Sequence, residues 1–302
     1  MTNSVIPHAS QKSIAVIGVG RIGSSFAFTL AKAGHDVTGV ARPSSVRLQQ
    51  LQRDQGILST TGERGAITVT DHLDEQVAYD LVIVTVLAHQ VGAIMPGLKR
   101  CRAKCIHFMF NTFEPEQLME AIGADRFSCG MPFVMAQLDD NGRLNLTVNA
   151  SRKSLHSDQR WVDMFQSAGI ASALETNMLA WLRCHTPLCI AMESISVKAK
   201  RRGGGASWQD ATTVARGMKG VFVVIQGLGY EIYPKSKSRL NALPTVLVSS
   251  LLWSVSRIAS FRDLLATGAD ECGSLIDVVA VAGQKTSVPI TLAIASVQAM
   301  KP

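Results

Sequence analysis

The sequence predicts an α/β fold in which a doubly wound parallel sheet is followed by an all-helical region. Two observations predict it. Up to about residue 128, short runs of β-branched and apolar residues alternate with helical segments, as in parallel βαβ units. From about residue 177 onward only helical periodicity remains. We therefore expect two domains in this 302-residue chain, residues 1–175 and residues 176–302.

The predicted elements of the first domain follow from these runs. Residues 80–86, Asp-Leu-Val-Ile-Val-Thr-Val, are a run rich in β-branched residues, typical of a central parallel strand that is buried on both faces. The other predicted strands are 13–17, 36–41, 67–70, 105–110 and 171–174. The predicted helices are 22–33, 48–53, 89–99, 114–122 and 156–168. Residues 131–137 and 143–149 are predicted to form a hairpin that turns at Asp140-Asn141-Gly142.

The second domain is predicted to contain helices only. They cover residues 178–200, 207–228, 241–258, 271–284 and 288–299, with breaks at 203–205, at 229–238 and near Gly268. The longest apolar stretch, residues 243–255, is too short and too polar for a membrane span, so we expect a buried helix there.

The composition narrows the class of ligand. The net charge is +7, which suits an anionic small molecule. No basic run is interleaved with aromatic residues, so we expect no nucleic-acid partner. The six cysteines form no CxxC pair, and Cys101 and Cys105 lack further metal ligands at a suitable spacing, so we expect reduced thiols and no metal. Residues 1–12 do not resemble a signal peptide, and we expect a cytoplasmic protein.

A glycine motif follows the first predicted strand and opens the first predicted helix. It reads Gly18-Val19-Gly20-Arg21-Ile22-Gly23. In a Rossmann-type domain the first glycine allows a tight turn, the second lets the backbone approach a pyrophosphate, and the third lets helix and strand pack closely. The helix N-terminus then attracts the phosphates. We predict a dinucleotide site; the alternative is a glycine turn without a ligand.

The residue after the second strand indicates which dinucleotide binds. NAD-binding proteins usually have an acidic residue there, which holds the ribose hydroxyls. This chain has Ala41-Arg42-Pro43, and a guanidinium matches a 2′-phosphate. Arg42 therefore favours NADP(H), with a solvated surface arginine as the alternative.

With these motifs in order, the chain resembles the ketopantoate reductase (2-dehydropantoate 2-reductase) family. Beyond the glycines and Arg42, the resemblance depends on several short segments along the chain. These are Val86-Leu87-Ala88-His89-Gln90, Asn111 in Phe110-Asn111-Thr112, the hairpin 130–146, Trp181-Leu182-Arg183, and Asp270-Glu271 before Leu275, Val278 and Val279.

The resemblance implies an NADPH-dependent reductase of a 2-oxo acid, such as one that converts ketopantoate to pantoate for pantothenate and coenzyme A. The glycine motif, Arg42 and Gln90 would then bind the cofactor, and Asn111 would lie beside both nicotinamide and substrate. Glu271 would contact the hydroxyl end of the substrate. Ser260 would match a substrate-binding serine if one residue is deleted before Glu271.

Three positions depart from the family pattern. Leu87 and Arg183 stand where the family has lysines, the second of them catalytic, and Pro187 stands where it has asparagine. Arginine keeps its proton and is a poor general acid. Arg183 would instead bind a carboxylate or stabilise developing negative charge, and the proton would come from water or from His185.

Plainer alternatives remain open for these residues. Arg183 would otherwise be a surface or ion-pair residue, Glu271 an acid at a helix N-terminus, and His185 a packed histidine. The chain as a whole would otherwise be a non-catalytic NADP(H)-binding sensor or a reductase of a different oxo acid. We expect a small-molecule substrate and no membrane, and the apolar helical region suggests a homodimer.

Overall fold

The computed structural model describes residues 11–147, 152–266, 269–287 and 289–302. By mutual Cα packing the chain divides into two compact units. The first contains Met1–Phe110 and Glu116–Met178, and the second contains Asn111–Pro115 and Leu179–Pro302. The domain limits predicted from the sequence stay a prediction.

One large sheet organises the first unit. The strands of this unit are β1 (Ser13–Ile17), β2 (Asp36–Val40), β3 (Ile57–Leu58), β4 (Arg64–Gly65), β5 (Thr68–Thr70), β6 (Leu81–Val84), β7 (Ile106–Met109), β8 (Phe127–Met131), β9 (Met135–Leu138), β10 (Leu144–Thr147), β11 (Ser154–His156) and β12 (Ser172–Leu174). Within the described residues, eight of them form the sheet in the order β12-β11-β8-β7-β6-β1-β2-β5.

The sheet is mostly parallel, which confirms the predicted α/β class. Strands β5, β2, β1, β6, β7 and β8 pair in parallel. All four residues of β6 are fully buried, as predicted for a central strand. The departure is β11, which pairs antiparallel with β8 and parallel with β12.

The prediction of several short strands was wrong. Strands β8 and β11 were not predicted, because their sequences FSCGM and SLH contain none of the β-branched residues that mark a strand. The small β3–β4 pair was not predicted either. The predicted hairpin exists as β9 and β10, but β9 begins four residues later than predicted. Residues 148–149 of the predicted second strand lie outside the described residues.

A buried polar chain explains why β11 belongs to the sheet. His107 Nε2 on β7 lies 2.9 Å from His156 Nδ1 on β11, and His107 Nδ1 lies 2.8 Å from Ser128 Oγ on β8. His156 Nε2 reaches Ser172 Oγ on β12 at 3.2 Å. Burial lowers the pKa of His156 to about 4, so both rings are packed here as neutral groups.

Helices flank the sheet. They are α1 (Arg21–Lys32), α2 (Val46–Arg53), α3 (Val91–Arg100), α4 (Pro115–Ile122) and α5 (Gln159–Ser167), with a 3₁₀ turn at Ala88–Gln90. The Phe26 ring of α1 meets the Phe165 ring of α5 edge to face, with centroids 4.9 Å apart. The predicted helix 156–168 begins later than expected because its first residue, His156, pairs in the sheet.

The described residues of the second unit form helices and no strand, as predicted. These helices are α6 (Met178–Arg201), α7 (Trp208–Gly227), α8 (Lys235–Ala242), α9 (Thr245–Val255), α10 (Ala259–Leu265), α11 (Ala269–Gly283) and α12 (Thr291–Gln298). Gly217 and Gly220 of α7 would place a Cβ 2.7 Å from the Ser296 carbonyl oxygen and 2.8 Å from the Ala293 carbonyl oxygen, so these two glycines allow the close approach of α7 and α12. No helix in the described ranges is long and apolar enough to cross a membrane.

Three helix predictions were wrong in detail. Residues 241–258 form the end of α8 and then α9, because Pro244 has no N–H to continue a helix. The predicted break at 229–238 contains the start of α8, and α10 was not predicted. The break near Gly268 and the predicted helix start at residue 288 lie outside the described residues.

Candidate functional site

The glycine turn begins directly after β1. Gly18 has φ +94°, in the region where other residues are strained, and a Cβ there would lie 2.8 Å from Val86 Cγ1. Its N–H donates to the Val40 carbonyl at 3.1 Å. The turn is thereby tied to the carboxyl end of β2, and position 18 accepts only glycine.

The third glycine lies where α1 meets the sheet. A Cβ on Gly23 would collide with the carbonyl oxygen of Gly18 and lie 2.6 Å from Thr85 Oγ1. Thr85 follows β6 and donates its hydroxyl to the carbonyl oxygens of Gly18 at 2.7 Å and of Ile17 at 3.1 Å. The start of α1 is therefore held against the carboxyl ends of two neighbouring strands.

The second glycine is exposed and has space around it. Gly20 is the N-cap of α1, and a Cβ there would meet no heavy atom within 4 Å. No side chain caps the helix, and its first turn contains no acidic residue. A helix N-terminus of this kind attracts an anion. The residues present therefore fit the pyrophosphate of a dinucleotide.

The remaining residues expected at the cofactor differ in exposure. Arg21 and Arg42 are exposed, Arg21 at the start of α1 and Arg42 two residues after β2. Val19 is buried and Ile22 packs against the core of the first unit, so their side chains face the protein. Gln90 is exposed, and its Oε1 accepts a hydrogen bond from Leu87 N at 3.3 Å.

Asn111 follows β7 along the chain but belongs to the second unit. It is 5% exposed, and its Oδ1 accepts a hydrogen bond from Thr186 Oγ1 on α6 at 3.2 Å. Its Nδ2 is buried and has no hydrogen-bond partner among the residues that the structure describes. Because a buried amide N–H₂ without a partner is costly, this group fits a role in holding a polar ligand.

Arg183 is buried in the second unit, so the alternative that it is a surface residue is wrong. It is 3% exposed, and its guanidinium carbon lies 3.5 Å from the centre of the Tyr230 ring. Pro187 lies one turn later in α6 and has no N–H to donate to the Arg183 carbonyl. This turn of α6 therefore holds a buried cation beside an interruption in the helical hydrogen bonds.

Glu271 lies in the first turn of α11, as the plainer alternative predicts, and burial raises its pKa. It also has an acidic neighbour that was not predicted. Cys272 Sγ lies 3.2 Å from Ser194 Oγ, which brings α11 against α6 at the residues that follow Glu271 and Glu193. Glu193 Oε2 is buried with no hydrogen-bond partner among the described residues, and burial followed by the charge of Glu271 raises the pKa of Glu193 to about 9.

His185 is a packed residue, as one alternative predicts. Its ring stacks on Trp181 with centroids 4.4 Å apart, and burial followed by the charge of Lys237 lowers its pKa to about 3. Lys237 is 6% exposed and donates from Nζ to the Trp181 carbonyl at 2.8 Å. A neutral His185 is a poor proton donor at neutral pH. Ser260 is exposed on α10.

Glu193 and Lys237 were not predicted, and only Glu193 has a signal in the sequence. Glu193 is the only charged residue between Arg183 and Lys198 of α6, and an isolated acid in an apolar helix is unusual. Lys237 lies in a polar segment with other lysines, and nothing there marks it as buried.

Comparisons with known proteins bear on the fold and on the resemblance. Residues 14–153 match the family model described as ketopantoate reductase PanE/ApbA. The PanE/ApbA family ketopantoate reductase from Ralstonia eutropha JMP134 is 17% identical, with a TM-score of 0.70 over 95% of this chain and 98% of that chain. The 2-dehydropantoate 2-reductase from Methylococcus capsulatus is 19% identical, with a TM-score of 0.65 over 95% and 94%.

A structure with a different printed activity shares the fold as well. The complex of D-mandelate dehydrogenase with NADH is 14% identical, with a TM-score of 0.66 over 95% of this chain and 97% of that chain. None of the curated protein sequences matches this chain significantly. By the family model over residues 14–153 and by its fold, this chain resembles the ketopantoate reductase family.

Proposed function

We propose that this protein is an NADPH-dependent oxidoreductase that reduces a 2-oxo acid, with ketopantoate as the first substrate to test. The observation that carries the proposal is the glycine turn between β1 and α1. Gly18 and Gly23 are fixed by contacts that exclude a side chain, whereas Gly20 is exposed at an uncapped helix N-terminus. This combination suits a bound pyrophosphate.

The choice of NADPH depends on Arg42. The end of β2 carries no acid for the ribose hydroxyls, and the Arg42 side chain is exposed there. A guanidinium binds a 2′-phosphate through charge-assisted hydrogen bonds that NADH cannot make. D-mandelate dehydrogenase, which shares the fold, is described in complex with NADH, so Arg42 is the feature that favours NADPH in this chain.

The residues proposed to contact the substrate all belong to the second unit. Arg183 is a buried cation and would hold the carboxylate or the carbonyl oxygen of a 2-oxo acid. Asn111 has a free amide N–H₂ for a carbonyl oxygen, and Glu271 would accept a hydrogen bond from a hydroxyl group. Ser260, which is exposed on α10, stays a prediction.

NADPH, when bound, would supply the hydride. The protein must then stabilise the negative charge that develops on the carbonyl oxygen and provide a proton. Arg183 serves the first task but keeps its own proton, and His185 is neutral. Glu193 does not take the second task, because it lies ten residues along α6 from Arg183, about 15 Å at 1.5 Å per residue, which leaves water as the proton source.

A second candidate function is NADP(H) binding without catalysis, as in a redox sensor. It is favoured by Arg183 and Pro187, which replace residues that the resemblance places in the reaction. A role in pantothenate synthesis, a homodimer and a cytoplasmic location stay predictions.

The first prediction concerns substrate and cofactor together. The purified protein should oxidise NADPH in the presence of ketopantoate, measured as loss of absorbance of the reduced nicotinamide. Arg42→Ala should weaken NADPH binding by about 10- to 100-fold and leave NADH binding nearly unchanged, because only NADPH loses charge-assisted hydrogen bonds. If the protein reduces another 2-oxo acid but not ketopantoate, the proposed substrate is wrong and the proposed reaction class stands. If it binds NADPH but reduces no 2-oxo acid, the result supports the second candidate function, a sensor.

The second prediction tests whether the exposed glycine of the motif, Gly20, lies at the bound cofactor. Gly20→Ala should raise the Kd for NADPH at least about tenfold without lowering the melting temperature, because its Cβ meets only open space in the free protein. Gly204→Ala, also in open space but in the second unit, is the matched control and should change neither quantity. Unchanged NADPH affinity in the Gly20→Ala protein would show that no pyrophosphate approaches there.

The third prediction concerns Arg183. Arg183→Met should lower kcat by about 10²- to 10³-fold, because it removes a charge that stabilises the transition state. Arg183→Lys should keep part of the rate and lose it at alkaline pH, as the lysine deprotonates. Wild-type kcat in the methionine variant contradicts the role.

The fourth prediction concerns the effect of Glu193 on stability. As pH rises from the ordinary carboxyl pKa of 4.5 to about 9, the unfolded chain loses a proton that the folded protein keeps. The free energy of unfolding therefore falls over this range. Glu193→Gln should raise the melting temperature at pH 8 and change it little at pH 4, because the amide has no proton to lose.

The control for this variant is Asp163→Asn, an exposed carboxyl in the first unit, which should leave the melting temperature unchanged at both pH values. An unchanged melting temperature of Glu193→Gln at pH 8 would contradict a raised pKa of Glu193 in the folded protein.

A further inference from the structure

One arginine in the first unit touches the glycine turn, and the proposed reaction gives it no part. Arg47 of α2 donates from Nε to the Val19 carbonyl at 2.9 Å and from Nη2 to Ser24 Oγ at 2.9 Å. Ser24, fully buried in α1, donates its own hydroxyl to the same Val19 carbonyl at 3.0 Å. Two donors therefore converge on the carbonyl between the first and second glycines of the motif.

These bonds fix one peptide group. The Val19–Gly20 peptide is held at its carbonyl by Arg47 and Ser24, and at its N–H by the Gly18 carbonyl at 2.8 Å. If this peptide rotated, its carbonyl oxygen would turn toward the Gly18 carbonyl oxygen that its N–H now faces, and the two oxygens would repel each other. Holding the peptide in place therefore also holds Gly20 at the N-terminus of α1, where a phosphate would approach.

The other side of Arg47 is anchored to the β9–β10 hairpin. Its Nη1 donates to the Gly142 carbonyl at 2.7 Å and to Gln50 Oε1 at 3.4 Å. Helix α2 makes two more hydrogen bonds to this turn. Gln50 Nε2 donates to the Asp140 carbonyl at 3.3 Å, and Arg53 Nη2 donates to the Asn141 carbonyl at 2.9 Å. Three side chains at successive turns of α2 thus hold three successive residues of the hairpin.

Only glycine fits at the centre of this contact. Gly142 has φ +79°, and a Cβ there would collide with the side-chain amide of Gln50 and lie 2.7 Å from Arg47 Nη1. The hairpin turn and Arg47 therefore fit each other closely, although the turn is far along the chain from the glycine motif.

We propose that Arg47 is the positioning residue of the cofactor site and that it acts through the Val19–Gly20 peptide, with the hairpin turn at Gly142 as its anchor. This inference rests on the proposed dinucleotide binding. Arg47 uses four of its five side-chain N–H groups on protein acceptors, which leaves it suited to bracing the turn rather than to binding phosphate itself. Burial lowers its pKa to about 10, so it stays charged at neutral pH.

The test compares two arginines of α2. Arg47→Met should raise the Kd for NADPH, measured by fluorescence titration, by about tenfold or more, because it frees the peptide that precedes the helix. At saturating NADPH its kcat should stay within about twofold of wild type. The substitution should therefore raise the KM for NADPH without changing kcat. Arg53→Met is the matched control: it loses one bond to the hairpin but none to the glycine turn, and its Kd should stay near wild type.

Three further variants keep the inference falsifiable if Arg47→Met folds poorly. Ser24→Ala removes the second donor to the Val19 carbonyl, and Gly142→Ala disturbs the anchor; both should weaken NADPH binding. Arg47→Lys, which keeps the charge and one donor, should restore part of the affinity.

The outcomes separate this inference from the function on which it rests. A wild-type protein that binds no dinucleotide overturns the proposed function and this role together. Wild-type affinity in Arg47→Met, or equal losses in Arg47→Met and Arg53→Met, overturns only the role of Arg47. A fall in kcat with unchanged Kd also overturns it, since a brace for the cofactor turn acts on binding.

Discussion

The first unit depends on the close approach of Gly23 to the carbonyl of Gly18. No side chain fits between them, so α1 begins directly against the end of β1. Thr85 completes the contact by binding the carbonyls of Ile17 and Gly18, which brings the end of β6 to the same point. The exposed N-terminus of α1 and the exposed Gly20 follow from this contact, because a bulkier junction would move the helix away from the strands.

Much of this region could be predicted because its constraints are local. The turn after β1 needs glycine at fixed spacings, and the central strand β6 needs an unbroken apolar run, so both leave a pattern in the sequence. The residues of β8 and β11 leave none. Their place is set by partners distant in sequence, including the hydrogen bond between His107 and His156, which no short segment contains.

The residues of the candidate site could likewise be predicted only in part. Arg183 and Glu271 were named as site residues through the family resemblance and stay predictions; the structure adds that Arg183 is buried and that the charge of Glu271 acts on Glu193. Glu193 and Lys237 were missed because helical periodicity shows which residues face inward but not which helices meet. Arg47 was missed for a related reason: its partners lie in a glycine turn and a hairpin that are separated by more than a hundred residues.

Pro187 has a consequence for any substitution at position 183. It lies four residues after Arg183, on the same side of the helix, and it cannot donate a hydrogen bond to the Arg183 carbonyl. A lysine placed at position 183 alone would therefore stand on a turn that still lacks this bond. Exchanging both residues would change the side chain at this turn and its backbone hydrogen bonding together.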